Sequence, residues 1–333
     1  MESFQDQSHI DQVRDALWAN YGSGASVMVG SGFSKNALKV GPGTNSLPLW
    51  PEVAYEIYRR LYPECSEADR QKADPATTAA NHFLSLAQEY KTAFERANLH
   101  QLLQQLIRDD DFQPGEMHLR MLKLPWRDIF TTNWDTLLER TRPKVKDRTY
   151  SIVRDIDEIP LAKRPRIVKL HGSFPAQFPL IITEEDYRTY PAKFAPFVNT
   201  VQQAMMETVF CLIGFSGNDP NFLSWSGWVR DNLGESAPRI YLAGWLGLSH
   251  HKRSMLVSRG VVPIDLAQHP KAREWPEHLR HGYATEWVLL TLELGRPYDH
   301  TTWPSLPSQP QPEIPEYLRP VVVVTPRQPR EEP

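Results

Sequence analysis

The sequence predicts an α/β fold: a Rossmann-like parallel sheet with helices on both faces and a helical subdomain. Three observations predict it. Six short apolar runs alternate with segments of helical period, the signature of parallel strands covered on both faces. Four of those runs stop abruptly in small or polar clusters. A long stretch near residues 50–125, mainly helical in pattern, separates the first run from the second.

The elements follow in order. HIDQVRDALWANY places Ile10, Val13, Leu17 and Trp18 at helical spacing. SVMVGSGFS is an apolar run that breaks into Gly30-Ser31-Gly32, which reads as a strand, a tight turn and a helix start. Residues 38–49 are rich in Gly and Pro and read as a loop, while 50–63 and 77–108 read as helices. RDIFTTN is the second strand, with the helical pattern WDTLLER behind it, and RIVKLHG is the third. ITEEDYRTY reads as a helix. ETVFCLIG, RIYLAG and GVVPID are the remaining strands, interleaved with the helices FLSWSGWVRDN and SHHKRSMLVSR. From Thr301 the pattern changes: 9 prolines in 33 residues preclude a packed helix or central strand. The division expected is a main domain over 1–300, with the helical insertion inside it, and a proline-rich extended arm over 301–333. Within the arm, Val321–Val324 is a β-prone run that can dock on a sheet edge.

Composition excludes several classes. Hydrophobic residues make up 41% and charged residues 23%, as in ordinary globular proteins. A net charge of −3 gives no basic field, so direct nucleic-acid binding is not expected. No run approaches the roughly 18 apolar residues of a membrane span. The N-terminus, MESFQDQSHI, lacks the apolar core of a signal peptide, and a cytoplasmic location is expected. Two cysteines, Cys65 and Cys211, cannot supply a four-thiolate zinc site.

The four strand-end clusters carry the chemistry, because ligands of open parallel sheets bind at the carboxyl ends of strands. In Gly30-Ser31-Gly32-Phe33-Ser34, glycines let the backbone approach a pyrophosphate, and a helix start offers free N–H groups. The usual dinucleotide fingerprint is incomplete, since Lys35 stands where a third Gly belongs, and a plain tight turn is the alternative. In Thr131-Thr132-Asn133-Trp134-Asp135, the Asn133 amide can accept from and donate to one water, whereas Asn-x-Asp is also a helix cap. In Lys169-Leu170-His171-Gly172-Ser173, His171 is either a satisfied core histidine or an acid/base or ribose-binding group. In Gly214-Phe215-Ser216-Gly217-Asn218-Asp219-Pro220, close backbone approach is again possible, and Asp219-Pro220 looks like a helix start.

Taken in order, these clusters resemble the sirtuin superfamily. Gly30-Ser31-Gly32-Phe33-Ser34 is similar to its Gly-Ala-Gly-x-Ser loop, Thr132-Asn133-Trp134-Asp135 to a shortened Thr-Gln-Asn-x-Asp, and His171-Gly172 to its His-Gly. Gly214-Phe215-Ser216 followed by Asn218-Asp219 resembles the version found in bacterial sirtuin-like defence proteins. The resemblance spans about residues 22–265. It departs from the deacylases in lacking paired Cys-x-x-Cys motifs after His171, where only Cys211 occurs before Gly214.

The resemblance implies an NAD hydrolase of bacterial anti-phage defence without the zinc module, cleaving NAD to nicotinamide and ADP-ribose. It implies Asn133 holding the attacking water, His171 binding ribose hydroxyls with a role as base open to it, and Asp135 supplying negative charge or orienting its neighbours. Gly30, Ser31, Gly32, Phe33, Ser34, Thr132, Gly214, Phe215, Ser216 and Asp219 would bind the rest of the dinucleotide. A second defence subunit (a DNA-translocating ATPase, an Argonaute or another sensor) is expected as partner. So is a homo-oligomer, with the arm or residues 77–108 at its contacts. Transfer of ADP-ribose, deacylation, or a non-catalytic module binding NAD or ADP-ribose are the alternatives. Truncating Asn133 or His171, both at strand ends, is expected to leave the fold intact.

Overall fold

The computed structural model describes residues 4–19, 24–42, 46–64, 80–174 and 179–295, with backbone alone for 80–82. Seven strands form one sheet in the order β5-β6-β4-β1-β7-β8-β9, every pairing parallel. They are β1 (Ala25–Val29), β4 (Asp128–Thr131), β5 (Ser151–Val153), β6 (Arg166–Lys169), β7 (Val209–Ile213), β8 (Ile240–Gly244) and β9 (Val261–Asp265). The six apolar runs are six of these strands. The seventh, β5, is a three-residue edge strand that the pattern did not announce.

Alternate residues of each strand go to opposite faces. Val27, Val29, Ile129, Cys211 and Ile213 join one core, while Met28, Phe130, Phe210 and Leu212 join the other. The first core is covered by α1 (Gln7–Trp18), a short helix Glu116–Lys123 and a helix Arg280–Glu293. The second is covered by helices Ala195–Glu207 and Pro220–Leu233, with Leu256 of His250–Ser258. Trp18, read as part of the buried face of α1, is 41% exposed, and its indole donates to the Leu292 carbonyl at 2.7 Å.

A third core belongs to the helical module. Val53, Ala54 and Ile57 of Trp50–Leu61 pack on Phe83, Leu86, Tyr90, Leu99 and Leu103 of Ala80–Ile107. The module sits on the segments that follow β4 and β6, through Trp134, Leu137, Phe174, Leu180 and Ile182. The stretch read as one helix over 77–108 is broken at Glu95, which has φ 70° and ψ 162°. The next residue, Arg96, pairs with Asp186 at 2.7 Å and donates to the Leu180 carbonyl. The module is thereby tied to the chain just past His171. The segment 38–49, read as a loop, contains a two-residue strand, β2 (Leu38–Lys39), paired antiparallel with β3 (Phe112–Gln113). The arm over 301–333, its run Val321–Val324 and Cys65 lie outside the described residues. No described helix is long and apolar enough to cross a membrane.

Candidate active site

β1 is the strand where the chain order reverses: β4 pairs with one side of it and β7 with the other. Open α/β sheets bind ligands at such a switch point. Here the loops after β1 and β7 interlock. A Cβ on Gly32 would lie 2.8 Å from the Gly214 carbonyl oxygen, and one on Gly214 would lie 2.2 Å from the Phe33 nitrogen. Gly214 also has φ 61°, a conformation costly for any residue with a Cβ. The two loops therefore meet backbone to backbone.

Beside them lies a cavity of about 900 Å³. Gly30, Ser31, Gly32, Thr132, Gly214, Phe215, Ser216 and Asp219 all line it, as expected of dinucleotide-binding residues. Trp50 and Phe83 of the helical module form the facing wall, and Trp245 and Leu246 extend it past β8. Its size is at the upper end of small-molecule sites. Phe33 and Ser34 do not line this cavity. Phe33 is buried against His118, with ring centroids 5.0 Å apart.

Ser34 serves the adjoining pocket. Asn133 Nδ2 donates to Ser34 Oγ at 2.8 Å, and Ser34 Oγ donates to Asp135 Oδ2 at 2.7 Å. The three side chains line a pocket of about 40 Å³, which shares Ser31, Trp50 and Thr132 with the larger cavity. Asp135 also accepts from the Leu137 nitrogen at 3.2 Å, at the start of helix Leu137–Thr141. Its capping and its site contact coexist. Beneath lies a buried ion pair, Lys169 with Glu139 at 3.3 Å, and Lys169 Nζ also donates to the Asp135 carbonyl.

His171 is placed differently. It is wholly buried, at 0% exposure, and lines neither cavity. Its ring lies edge-on to Tyr187 and Tyr190, at 5.3 and 5.7 Å, and Tyr187 separates it from the larger cavity. Nε2 is 3.1 Å from Asn221 Nδ2. Burial lowers its pKa, against the opposing charges of Asp219 and Asp186, so the imidazole is held neutral. The expectation that truncating His171 would spare the fold is corrected by this burial, because removing a core ring opens a cavity.

The helix start at Asp219-Pro220 is real. Asp219 Oδ1 accepts from the Asn221 and Phe222 nitrogens at 2.9 and 3.2 Å, and Oδ2 accepts from Tyr187 Oη at 3.0 Å. Three further groups escaped the sequence reading. Tyr187 is one of two aromatics in helix Glu184–Lys193, and the sequence does not set it apart from Tyr190. His281, whose Nε2 donates to the Gly32 carbonyl at 2.6 Å, gave no local signal. Asp265, at the end of β9, accepts from the backbone nitrogens of Leu246, Gly247 and Leu248 and so fixes the cavity wall. Among the described residues, no group of three or more His, Cys, Asp or Glu side chains is placed to hold a metal. Cys211 is buried, and burial pushes its thiol up to about 12.

Comparison with known proteins agrees with this geometry. Residues 127–264 match the SIR2-like domain family. The match leaves the first glycine loop outside it. The chain is 31% identical over 143 residues to the NAD(+) hydrolase ThsA of Acinetobacter baumannii, covering 41% of this chain and 29% of that protein. It is 27% identical over 147 residues to the Bacillus cereus protein of the same name, covering 42% and 30% respectively. For the Enterococcus faecium protein of that name the figures are 29% over 182 residues, covering 48% and 36%. The chain thus spans about a third of the length of the curated relatives it matches. Over β4 to β9 the chain is thus similar to the SIR2-like domain family.

Proposed function

We propose that this chain cleaves NAD to nicotinamide and ADP-ribose, without a zinc module. The observation that carries the reading is the hydrogen-bonded series Asn133–Ser34–Asp135 beside the glycine-lined cavity. It joins the first and second clusters at the place where a ribose would meet a water. The names of the curated relatives support the same reaction.

In this reading the glycine loops hold the pyrophosphate through backbone N–H groups. The bond from the ribose anomeric carbon to the nicotinamide nitrogen breaks, and its electron pair leaves with neutral nicotinamide. Positive charge then spreads over the ribose ring, and the Asp135 carboxylate stabilises it. Asn133 spends its amide N–H on Ser34, which leaves Oδ1 to accept from the attacking water. That water's oxygen bonds to the anomeric carbon. Ser34 Oγ has a second lone pair for the same water, and its hydroxyl already points at Asp135. The water's proton passes by that route to the carboxylate.

The setting we propose is an NAD-depleting effector in bacterial anti-phage defence, acting in the cytoplasm as a homo-oligomer beside a second, sensing subunit. Its need for an off state supports the last two elements, because unregulated NAD loss would harm the cell. The test is incubation of the full chain with NAD and chromatography of the products. Equal amounts of free nicotinamide and ADP-ribose are expected. Bound but uncleaved NAD would make this a binding module. Nicotinamide release with ADP-ribose left on an acceptor would make it a transferase. Light scattering at micromolar concentration checks the oligomer, and a monomer would refute that element alone.

A further inference from the structure

The two ring nitrogens of His171 are treated unequally. Nε2 lies 3.1 Å from the Asn221 side-chain nitrogen, while Nδ1 is buried with no partner among the described residues. An amide nitrogen only donates. Nε2 must therefore accept, and the single proton of a neutral ring sits on Nδ1. The titratable groups facing the ring are Tyr187, Tyr190, Asp219 and Asp186, the last paired with Arg96. Burial outweighs the two carboxylates and keeps the ring neutral.

Asn221 is itself fixed. It is 4% exposed and stands in the first turn of helix Pro220–Leu233. Its backbone nitrogen donates to Asp219 Oδ1 at 2.9 Å. The other oxygen of the same carboxylate takes the Tyr187 hydroxyl at 3.0 Å. One carboxylate thus anchors both the amide on one side of the imidazole and the phenol that covers it.

We infer that Asn221 is a positioning residue that makes His171 a neutral hydrogen-bond donor through Nδ1–H, which reaches a ribose hydroxyl oxygen once Tyr187 moves aside, and not a base. The inference deepens the proposed NAD cleavage, and its kinetic arm rests on that reading. Tautomer control of this kind decides what an imidazole can do: the nitrogen opposite the held one is the working one.

Nitrogen-15 spectroscopy of histidine-labelled full chain, with the His171 signals assigned by the His171→Gln difference, tests it directly. Protonation of Nδ1 is expected at neutral pH, and a ring protonated on Nε2 would overturn the inference. In Asn221→Asp the carboxylate can only accept, so the proton should move to Nε2 and the ring should titrate at higher pH. Nicotinamide release should then fall at least about tenfold in kcat, with the acid limb of its pH profile moved upward. KM for NAD should stay within about threefold, as expected for loss of a contact that acts on the reaction step. Asn221→Leu, of similar volume and without a donor, should lower kcat alike. Wild-type kcat and an unmoved tautomer in Asn221→Asp would refute the inference. If Asn221→Asp fails to fold, the wild-type spectrum and Asn221→Leu still decide. If the wild-type chain releases no nicotinamide, the reaction proposed above fails, while the spectrum still rules on the tautomer.

Discussion

The halves of the crevice differ in what they present. Around β1 and β7 the walls are glycine backbone, and the space beside them is about 900 Å³. Around β4 and β6 the polar side chains are already bonded to one another, in a pocket otherwise walled by Leu47, Trp50, Val53 and Ile107. There Asn133 and Asp135 face only about 40 Å³, and His171 faces none. The first half is a cradle formed in advance, since backbone N–H groups at a strand end need no rearrangement to meet an anion. The second is a set of groups mostly bonded to one another, with His171 Nδ1 left unpartnered, so a ribose must rearrange existing contacts to reach them. Catalytic hydrogen bonds commonly tighten only in the substrate complex. Here the difference locates any rearrangement at Tyr187, which stands between His171 and the larger cavity.

The sharpest way to break this comparison is a pair of truncations in the packed half. Asn133→Ala should lower nicotinamide release by about 10²- to 10³-fold, the range for losing one group aimed at the reacting centre. It should shift the unfolding midpoint little. His171→Ala should also abolish turnover, but with a stability loss of about 3 kcal/mol for a truncated core ring. Denaturant unfolding beside a turnover assay separates the two. Equal stability of both variants would contradict the difference between an amide lining a pocket and a ring packed against Tyr187 and Tyr190.

A second pair probes the open half. Gly214→Ala meets both a positive φ and backbone 2.2 Å away, so a loss of about 2–4 kcal/mol and weakened NAD binding are expected. Gly217→Ala has φ 71° but open space around it, so about 1–2 kcal/mol is expected from the backbone alone. Calorimetry of NAD binding and denaturant midpoints give both readings. Indistinguishable losses would mean the loops are not interlocked.

The last comparison is in pH. Burial holds His118 at about 3, below its ordinary 6.5, so the unfolded chain binds more protons between those values. Stability should therefore drop as pH is lowered through that window, by up to about 1.4 kcal/mol per unit from this group. Glu286 works oppositely. Burial raises it to about 7, so the folded chain binds more protons between 4.5 and 7, and its contribution is lost as pH rises. Thermal melts of His118→Gln and Glu286→Gln against pH should flatten the acid and near-neutral slopes respectively. Unchanged slopes would remove these groups as the cause.

Much of the sheet was legible because parallel strands buried on both faces read as unbroken apolar runs. Ser151–Val153 was not, because three residues at an edge carry too short a pattern. Arg280–Glu293 was missed for a different reason. Nine of its residues are buried, Tyr283 through Leu289 without interruption, so it has no polar face to give a period. The break at Glu95 carries no Gly or Pro to mark it. At the site, Gly30, Asn133 and Gly214 were visible because each ends an apolar run. Tyr187, His281 and Asn221 act through contacts 32, 249 and 50 residues away in sequence, and no local rule reads those.

The central place of β1 also sets an order of assembly. Ribosomes deliver it first among the sheet strands, yet both its neighbours come later: β4 ends at Thr131, and β7 ends only at Ile213. At about 5–20 residues per second, β1 waits seconds for one partner and longer for the other. The loops around Gly32 and Gly214 cannot meet before β7 has emerged. A nascent chain therefore has no dinucleotide cradle until Ile213 has been made and β7 can pair with β1.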